Sequence, residues 1–298
     1  MARYIDPKTD FGFKRLFAQE DSKDILKQFL FAVLKLKHPI QELTYIPNEQ
    51  LPQGSDERIG IYDVYCTDLI GQRFIVEMQR GSQTFIRDRV LYYSMFPILH
   101  QAKKGTGWQF ELIPIYCVAI LNFALDVATS SAKDVETAYI RYIQLMDTKA
   151  KTVFYDKLTY VYIELPKFGK EPGELTEPVD KWIYLLKYMP ELQDIPAELA
   201  NAPFDHAFEI AEEAALSPRE RILYETSLKS ARDAFAELTT ARTEGREEGR
   251  EEGVKEGRQQ QAKETARAML SRGLSRDVIA DVTGLSLTEL EQLVRATE

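Results

Sequence analysis

The sequence predicts an α/β fold whose first 122 residues run α-β-β-β-α-β, followed by a helical C-terminal extension. Three observations predict it. Residues 21–37 repeat apolar side chains at helical spacing, residues 59–79 alternate like two strands around a short turn, and residues 112–121 form an almost unbroken apolar run.

The helix reads DSKDILKQFLFAVLKLK, with Ile25, Leu26, Phe29, Leu30, Val33 and Leu34 three and four residues apart. Asp21 or Ser22 is its expected N-cap, and Pro39 is expected to close it. A short strand follows near Leu43–Pro47, then a polar stretch with Pro52 and Gly54 as turn formers. Ile59–Cys66 and Gln72–Gln79 read as a hairpin joined by TDLIG, with Gly71 in the turn. Thr84–Lys104 is predicted helical, with Phe85, Leu91, Met95, Ile98, Leu99 and Ala102 tracing one face and Lys103, Lys104 and Gly105 ending it. The run LIPIYCVAIL at 112–121 fits a strand buried on both faces, so strand, helix and strand imply a parallel crossover. Further strands are expected at Thr137–Leu145 and Leu158–Leu165, and helices at Pro178–Tyr188 and Asp205–Leu238.

Composition excludes several classes. With 298 residues, 44% hydrophobic and 29% charged, the chain is neither disordered nor fibrous. No apolar run approaches the roughly 20 residues that cross a bilayer, and MARYIDPKTD lacks the apolar stretch of a signal peptide. No membrane partner and a cytoplasmic location are therefore expected. Cys66 and Cys117 lie in strand-like segments without ligand spacing and read as buried free thiols of a reducing compartment. The net charge of −9 is unevenly spread: residues 1–104 carry about +2 and the remainder −11. Total charge governs non-specific association rather than one groove, so it leaves nucleic acid open as a partner. His38, His100 and His206 are too dispersed for a zinc site or a triad.

Chemistry gathers in the hairpin. Strand alternation puts Ile59, Ile61, Asp63 and Tyr65 on one face, and Arg73, Ile75, Glu77 and Gln79 on one face of the next strand. Pairing about TDLIG brings Asp63 near Glu77 and Gln79. Two close carboxylates repel unless a cation joins them, and hard oxygen ligands favour Mg²⁺, Mn²⁺ or Ca²⁺. Such a pair suits phosphodiester hydrolysis, with Gln79 orienting a water. The spacing fits equally well a structural network in which the acids pair with Arg73, Arg87 or Arg89.

The blocks DFGFKRLF, LKQFLFAVL, IYDVYCTDLIGQRFIVEMQ and RDRVLYYSMF resemble the recombination-promoting nuclease/transposase (Rpn) family of the PD-(D/E)XK superfamily. The resemblance runs from Asp6 to about Leu121 and resumes in EGREEGREEG and LSRDVIADVTGLSLTELEQL. It implies a restriction-endonuclease-like core and a metal-dependent DNA endonuclease linked to recombination, mobile elements or defence. A catalytically silent DNA-binding or interaction protein is the alternative. Asp63 and Glu77 match the metal-binding acids, and Gln79 matches the superfamily's Lys position, where many family members also carry Gln. Lys14, one helical turn from Asp10, is either that residue's ion-pair partner or a phosphate contact. Glu20 is a candidate additional acid. Arg87 and Arg89 at a helix start either touch substrate phosphates or neutralise Glu77.

The tail differs in kind. Gly245, Gly249, Gly253 and Gly257 recur every fourth residue among Glu and Arg, whose spaced ion pairs favour a helix over a linker. Glycine costs such a helix roughly 0.8–1 kcal/mol per position, so a helix–helix partner along the stripe would steady it. Ser275, Gly284 and Ser286 then punctuate a helix-turn-helix rhythm whose last helix offers Glu289, Glu291 and Gln292 rather than basic groups. The expected organisation is a nuclease core at 1–125, its elaboration at 126–240, a connector at 241–261 and a small helical module at 262–298. The expected partners are DNA and a second copy, joined through the C-terminal helical region.

Overall fold

Leu26, Leu30 and Val33 point one way when residues 23–34 coil into a helix, and they find a sheet to cover. The computed structural model describes residues 3–50, 60–82, 84–102, 109–125 and 137–295. Helices α1 (Asp10–Phe17) and α2 (Lys23–Leu34) precede strands β1 (Leu43–Tyr45), β2 (Glu49–Gln50), β3 (Gly60–Ile61), β4 (Val64–Asp68) and β5 (Arg73–Gln79). Helix α3 (Ile86–Leu99) leads into β6 (Ile115–Leu121), and β7 (Ile140–Asp147) into β8 (Thr152–Glu164). Then come α4 (Pro178–Tyr188), α5 (Phe204–Ala211) and α6 (Pro218–Ser271), with α7 (Arg276–Thr283) and α8 (Leu287–Arg295) last.

Six strands form one mixed sheet in the order β1-β4-β5-β6-β8-β7, and β2 pairs with β3 apart from it. β4 and β5 are antiparallel, β5, β6 and β8 run parallel, and β7 returns antiparallel at the edge. The crossover from β5 through α3 to β6 is thus parallel, as the apolar run at 112–121 implies. The β4–β5 turn is fixed by Asp68, whose Oδ1 accepts the Ile70 and Gln72 N–H groups at 3.1 and 2.8 Å. Gly71 takes φ +85° there, with Ile113 Cδ1 only 3.0 Å from where a Cβ would sit.

Two apolar layers sandwich the sheet. On one face Val64, Phe74, Val76, Val118, Ile120 and Ile163 meet the apolar stripes of α1, α2, α4 and α5. On the other face Tyr65, Ile75, Cys117, Ala119 and Tyr162 meet Ile86 and Val90 of α3. Both cysteines are buried and unpaired. Among the described residues no helix is long and apolar enough to cross a membrane.

The helices depart from the sequence reading at several places. Helix α2 stops at Leu34 instead of running to Lys37, because Lys35 adopts a left-handed conformation and sets its ammonium over the Tyr142 ring. Ser22 is the N-cap residue but makes no capping bond; its hydroxyl donates to the Gln19 carbonyl. The expected helix at 205–238 is two helices, broken where Glu212 bridges to Tyr4 and restarted by a capping box of Ser217 and Glu220 around Pro218. Ser275 sits at the α7 N-cap without a side-chain bond, whereas Ser286 caps α8 through Glu289. Finally, of the α3 face traced by Phe85, Leu91, Met95, Ile98, Leu99 and Ala102 only Ile98 packs toward the sheet; Phe85, Leu91, Met95 and Leu99 point away, and the sheet is covered by Ile86, Val90, Ser94 and Pro97. Pro52, Gly54, Ile59, Lys103, Lys104 and Gly105 lie outside the described residues.

Residues Met1–Ala234 and Phe235–Glu298 form two compact units. The second holds its own small core of Ala266, Ile279, Leu285, Leu290 and Leu293. The glycine-spaced segment is helical throughout, within α6.

Candidate active site

The ladder between β4 and β5 ends at Val64 opposite Val76, and one step further stand Asp63 and Glu77. The expected strand Ile59–Cys66 is not continuous: Asp63 occupies a bend between β3 and β4. The bend has a visible cause. Asp63 Oδ2 accepts the Met78 N–H at 2.8 Å, and the Asp63 N–H donates to Glu77 Oε1 at 3.1 Å. Each carboxylate therefore satisfies a backbone N–H of the opposite strand, where ordinary pairing has stopped. Gln79, two residues along β5 and on the same side as Glu77, donates through Nε2 to Glu77 Oε2 at 3.1 Å.

Glu77 and Gln79 are both buried. Burial is the main cause that lifts the Glu77 carboxyl above its ordinary range, and the Asp63 charge adds to it; hydrogen bonds and Arg89 oppose the rise without cancelling it. Asp63 is also raised, first by burial, while the Met78 hydrogen bond pulls the other way and the charge of Asp10 adds to the rise. Lys14 and Arg89 act on Asp63 in the lowering direction. Two neighbouring acids that both resist ionisation make a donor set of the hard type. Such a set fits a divalent cation, whose charge would offset both desolvation and mutual repulsion. Among the described residues no group of three or more His, Cys, Asp or Glu side chains converges on one point.

The flanking cations divide. Arg89, in the first turn of α3, brings Nη2 to 4.0 Å from Glu77 Oε2 and lies over the Tyr93 ring at 5.1 Å. Lys14 pairs with Asp10 at 2.8 Å, one turn apart on α1, and its charge is felt at Asp63. Arg87 is exposed and its charge is felt at Tyr162. Arg73, a suggested partner of the acids, instead donates to the Tyr65 hydroxyl at 2.7 Å. Glu20 pairs with Lys23 at 2.6 Å and acts on Tyr45. The histidines lie apart: His38 follows α2, His100 caps α3, and His206 pairs with Glu209 on α5.

Sequence reasoning missed two contributors. The sequence offers Asp10 only as a partner for Lys14, yet its charge reaches Asp63, which linear spacing does not report. Tyr93 supports Arg89, a pairing visible in the sequence as Arg and Tyr four residues apart on one helix. Glu77, Gln79, Arg89 and Tyr93 also border a cavity of ≈ 10 Å³. That is about the room one water needs. A wider groove of ≈ 730 Å³ lies at the other end of the sheet, bordered by Lys35, Ile40, Asp68, Tyr116 and Tyr142, away from the acids.

A mixed sheet with paired acids at the bend and on the adjoining strand, and an amide two residues beyond, is the core and motif arrangement of the PD-(D/E)XK nucleases. The chain belongs to the PD-(D/E)XK nuclease family transposases, whose family pattern matches residues 7–241, and residues 259–294 match the C-terminal helix-turn-helix domain of the Rpn/YhgA-like nuclease family. No curated protein and no solved structure matches the chain.

Proposed function

We propose that this chain is a divalent-metal-dependent DNA endonuclease acting in recombination, mobile-element or defence processes. The observation that carries the reading is the pair of half-buried Asp63 and buried Glu77, held at the end of a ladder with Gln79 beside it. Asp63 and Glu77 are the residues that would hold Mg²⁺, Mn²⁺ or Ca²⁺. When bound, the cation polarises the scissile phosphate and makes water a stronger nucleophile. Gln79 contributes a donor and an acceptor but no charge. Its amide oxygen accepts from the attacking water while its Nε2 stays on Glu77, in the space the small cavity provides. Lys14 and Arg89, with Arg87 further out, hold the phosphates of the strand being cut. The helix-turn-helix module is a second and weaker DNA contact, since its last helix exposes Glu291 and Gln292 rather than basic groups.

The test is supercoiled plasmid incubated with Mg²⁺, Mn²⁺ or Ca²⁺, with Asp63→Asn beside the parent chain. Nicking that depends on the metal and is lost in the variant is the expected result. One observation favours a second reading, a silent DNA-binding protein: each acid already has a structural use on the opposite strand's backbone. That reading predicts unchanged plasmid under every metal, with DNA retained in a gel shift whether or not divalent ions are present.

A further inference from the structure

Helix α3 is apolar on both sides. Its inner side, Ile86, Val90 and Pro97, packs on the sheet, yet Phe85, Leu91, Tyr92, Met95 and Leu99 remain 72%, 48%, 42%, 37% and 55% exposed on the outer side. A helix apolar all round is normally covered all round, because isolated amphipathic helices keep a polar outer face. Within the helix Tyr92, Met95 and Leu99 follow one another at spacings of three and four residues, the spacing of a helix–helix seam.

We propose that this face of α3 docks on the same face of a second copy of the chain, antiparallel, about a twofold axis near Met95. The stripe is complementary to itself over its middle: reversal about Met95 sets Leu91 against Leu99, Tyr92 against Ile98 and Met95 against Met95, while the charged Asp88 falls at the rim opposite Ala102. Its area suits that occupant. The five exposed side chains offer roughly 450 Å² per copy, taking aromatic side chains at about 150–250 Å² and aliphatic ones somewhat less. A standard interface buries about 800 Å² per partner, of which some 56–65% is apolar, or roughly 450–520 Å². The apolar centre of one such interface is therefore present on α3. The glycine stripe of α6 is not required for it. Arg89 lies six residues, about 9 Å of helix, from Met95, so the pairing also fixes the spacing of two candidate sites. Only that last consequence rests on the proposed nuclease activity.

The experiment reads mass, not cleavage, and so separates this inference from the proposed function. Full-length protein should sediment as a concentration-dependent dimer. Met95→Glu, which would bury two facing charges at the axis, should raise the dimer dissociation constant at least about 100-fold while the monomer keeps the parent's circular-dichroism spectrum, because Met95 touches solvent in the single chain. Leu99→Lys should act the same way. Met95→Cys should cross-link to its counterpart with a short bismaleimide, since Cys66 and Cys117 are buried and do not compete. A chain that stays monomeric at the highest concentration, a dimer that Met95→Glu leaves unchanged, or a dimer that does not cross-link at position 95 overturns the proposal.

Discussion

Asp63 and Glu77 each give one carboxylate oxygen to the opposite strand's backbone, and the second oxygen of Glu77 accepts from Gln79 Nε2. This structural use lets mutation separate structural from catalytic loss. Asp63→Asn keeps an acceptor for the Met78 N–H, so its folded yield and melting temperature should match the parent while metal-dependent nicking disappears. Retained nicking at the parent rate would show that Asp63 is only a backbone cap. Gln79→Ala should lower turnover by about 10²–10³, the typical cost of losing one positioned polar group at a reacting centre, with metal affinity little changed. Unaltered turnover would make Gln79 a lining residue. A third carboxylate answers a different question. Glu164, at the end of β8, accepts from Arg141 Nε at 2.6 Å, Lys167 Nζ at 2.8 Å and the Leu125 N–H at 2.8 Å. Burial alone would raise its pKa, but these partners outweigh burial and hold it below the ordinary range. A depressed native value means stability present above the unfolded pKa of about 4.3 and lost as pH falls through the native value. Glu164→Gln should cost about 3 kcal/mol at neutral pH and flatten the acid limb of denaturant-measured stability below pH ~4. A limb unchanged in the variant would place the acid sensitivity elsewhere.

Elements make their own prediction in α6. Gly245, Gly249, Gly253 and Gly257 lie in helix with nothing within 4 Å of an added Cβ. Replacing all four by Ala should therefore raise helicity and strengthen this stretch by roughly 0.8–1 kcal/mol per site, read as slower amide exchange. Weaker self-association in the same variant would instead mean that the glycines meet a second chain. Legibility also sorts by element. Strands β5 and β6 and helix α4 could be read because their patterns are local: an unbroken apolar run, a hairpin turn with Gly71, and a Pro start. The acids could be paired because antiparallel register about one turn is nearly arithmetic. The bend at Asp63 could not, since it arises from one carboxylate replacing a ladder bond. The orientation of α3 was hidden for a related reason. With apolar residues on both faces, periodicity does not say which side the sheet takes. The break before Pro218 had a local signal, Ser217-Pro218-Arg219-Glu220, a capping box inside what looked like one long helix.

Considered as a whole molecule, the chain carries its candidate site in the first unit of its sequence and not in the tail. All six main-sheet strands, both acids, Gln79, Lys14 and Arg89 lie within Met1–Ala234, and the family pattern ends at 241. The start of α6 belongs with this unit: the Tyr224 hydroxyl accepts the Asp6 N–H at 2.8 Å, and the Ser227 hydroxyl accepts the Phe11 N–H at 3.2 Å. Removing those two bonds would loosen α1, and with it the Asp10–Lys14 pair whose charges reach Asp63. A chain ending at Thr240 keeps them and leaves out all of the second unit but its first residues, 235–240, and with it the whole of that unit's small core. The truncated chain should therefore melt cooperatively and nick plasmid at the parent rate when DNA is in excess. The module matched to a helix-turn-helix domain exposes Glu291 and Gln292 on α8, so it adds little attraction to phosphate, and weakening of DNA binding on truncation should be modest in low salt. If α3 joins two copies, the truncated chain also remains a dimer, whereas a monomer would assign association to the tail. A folded truncation that no longer nicks under any divalent ion would put part of the catalytic unit beyond Thr240 and overturn this division.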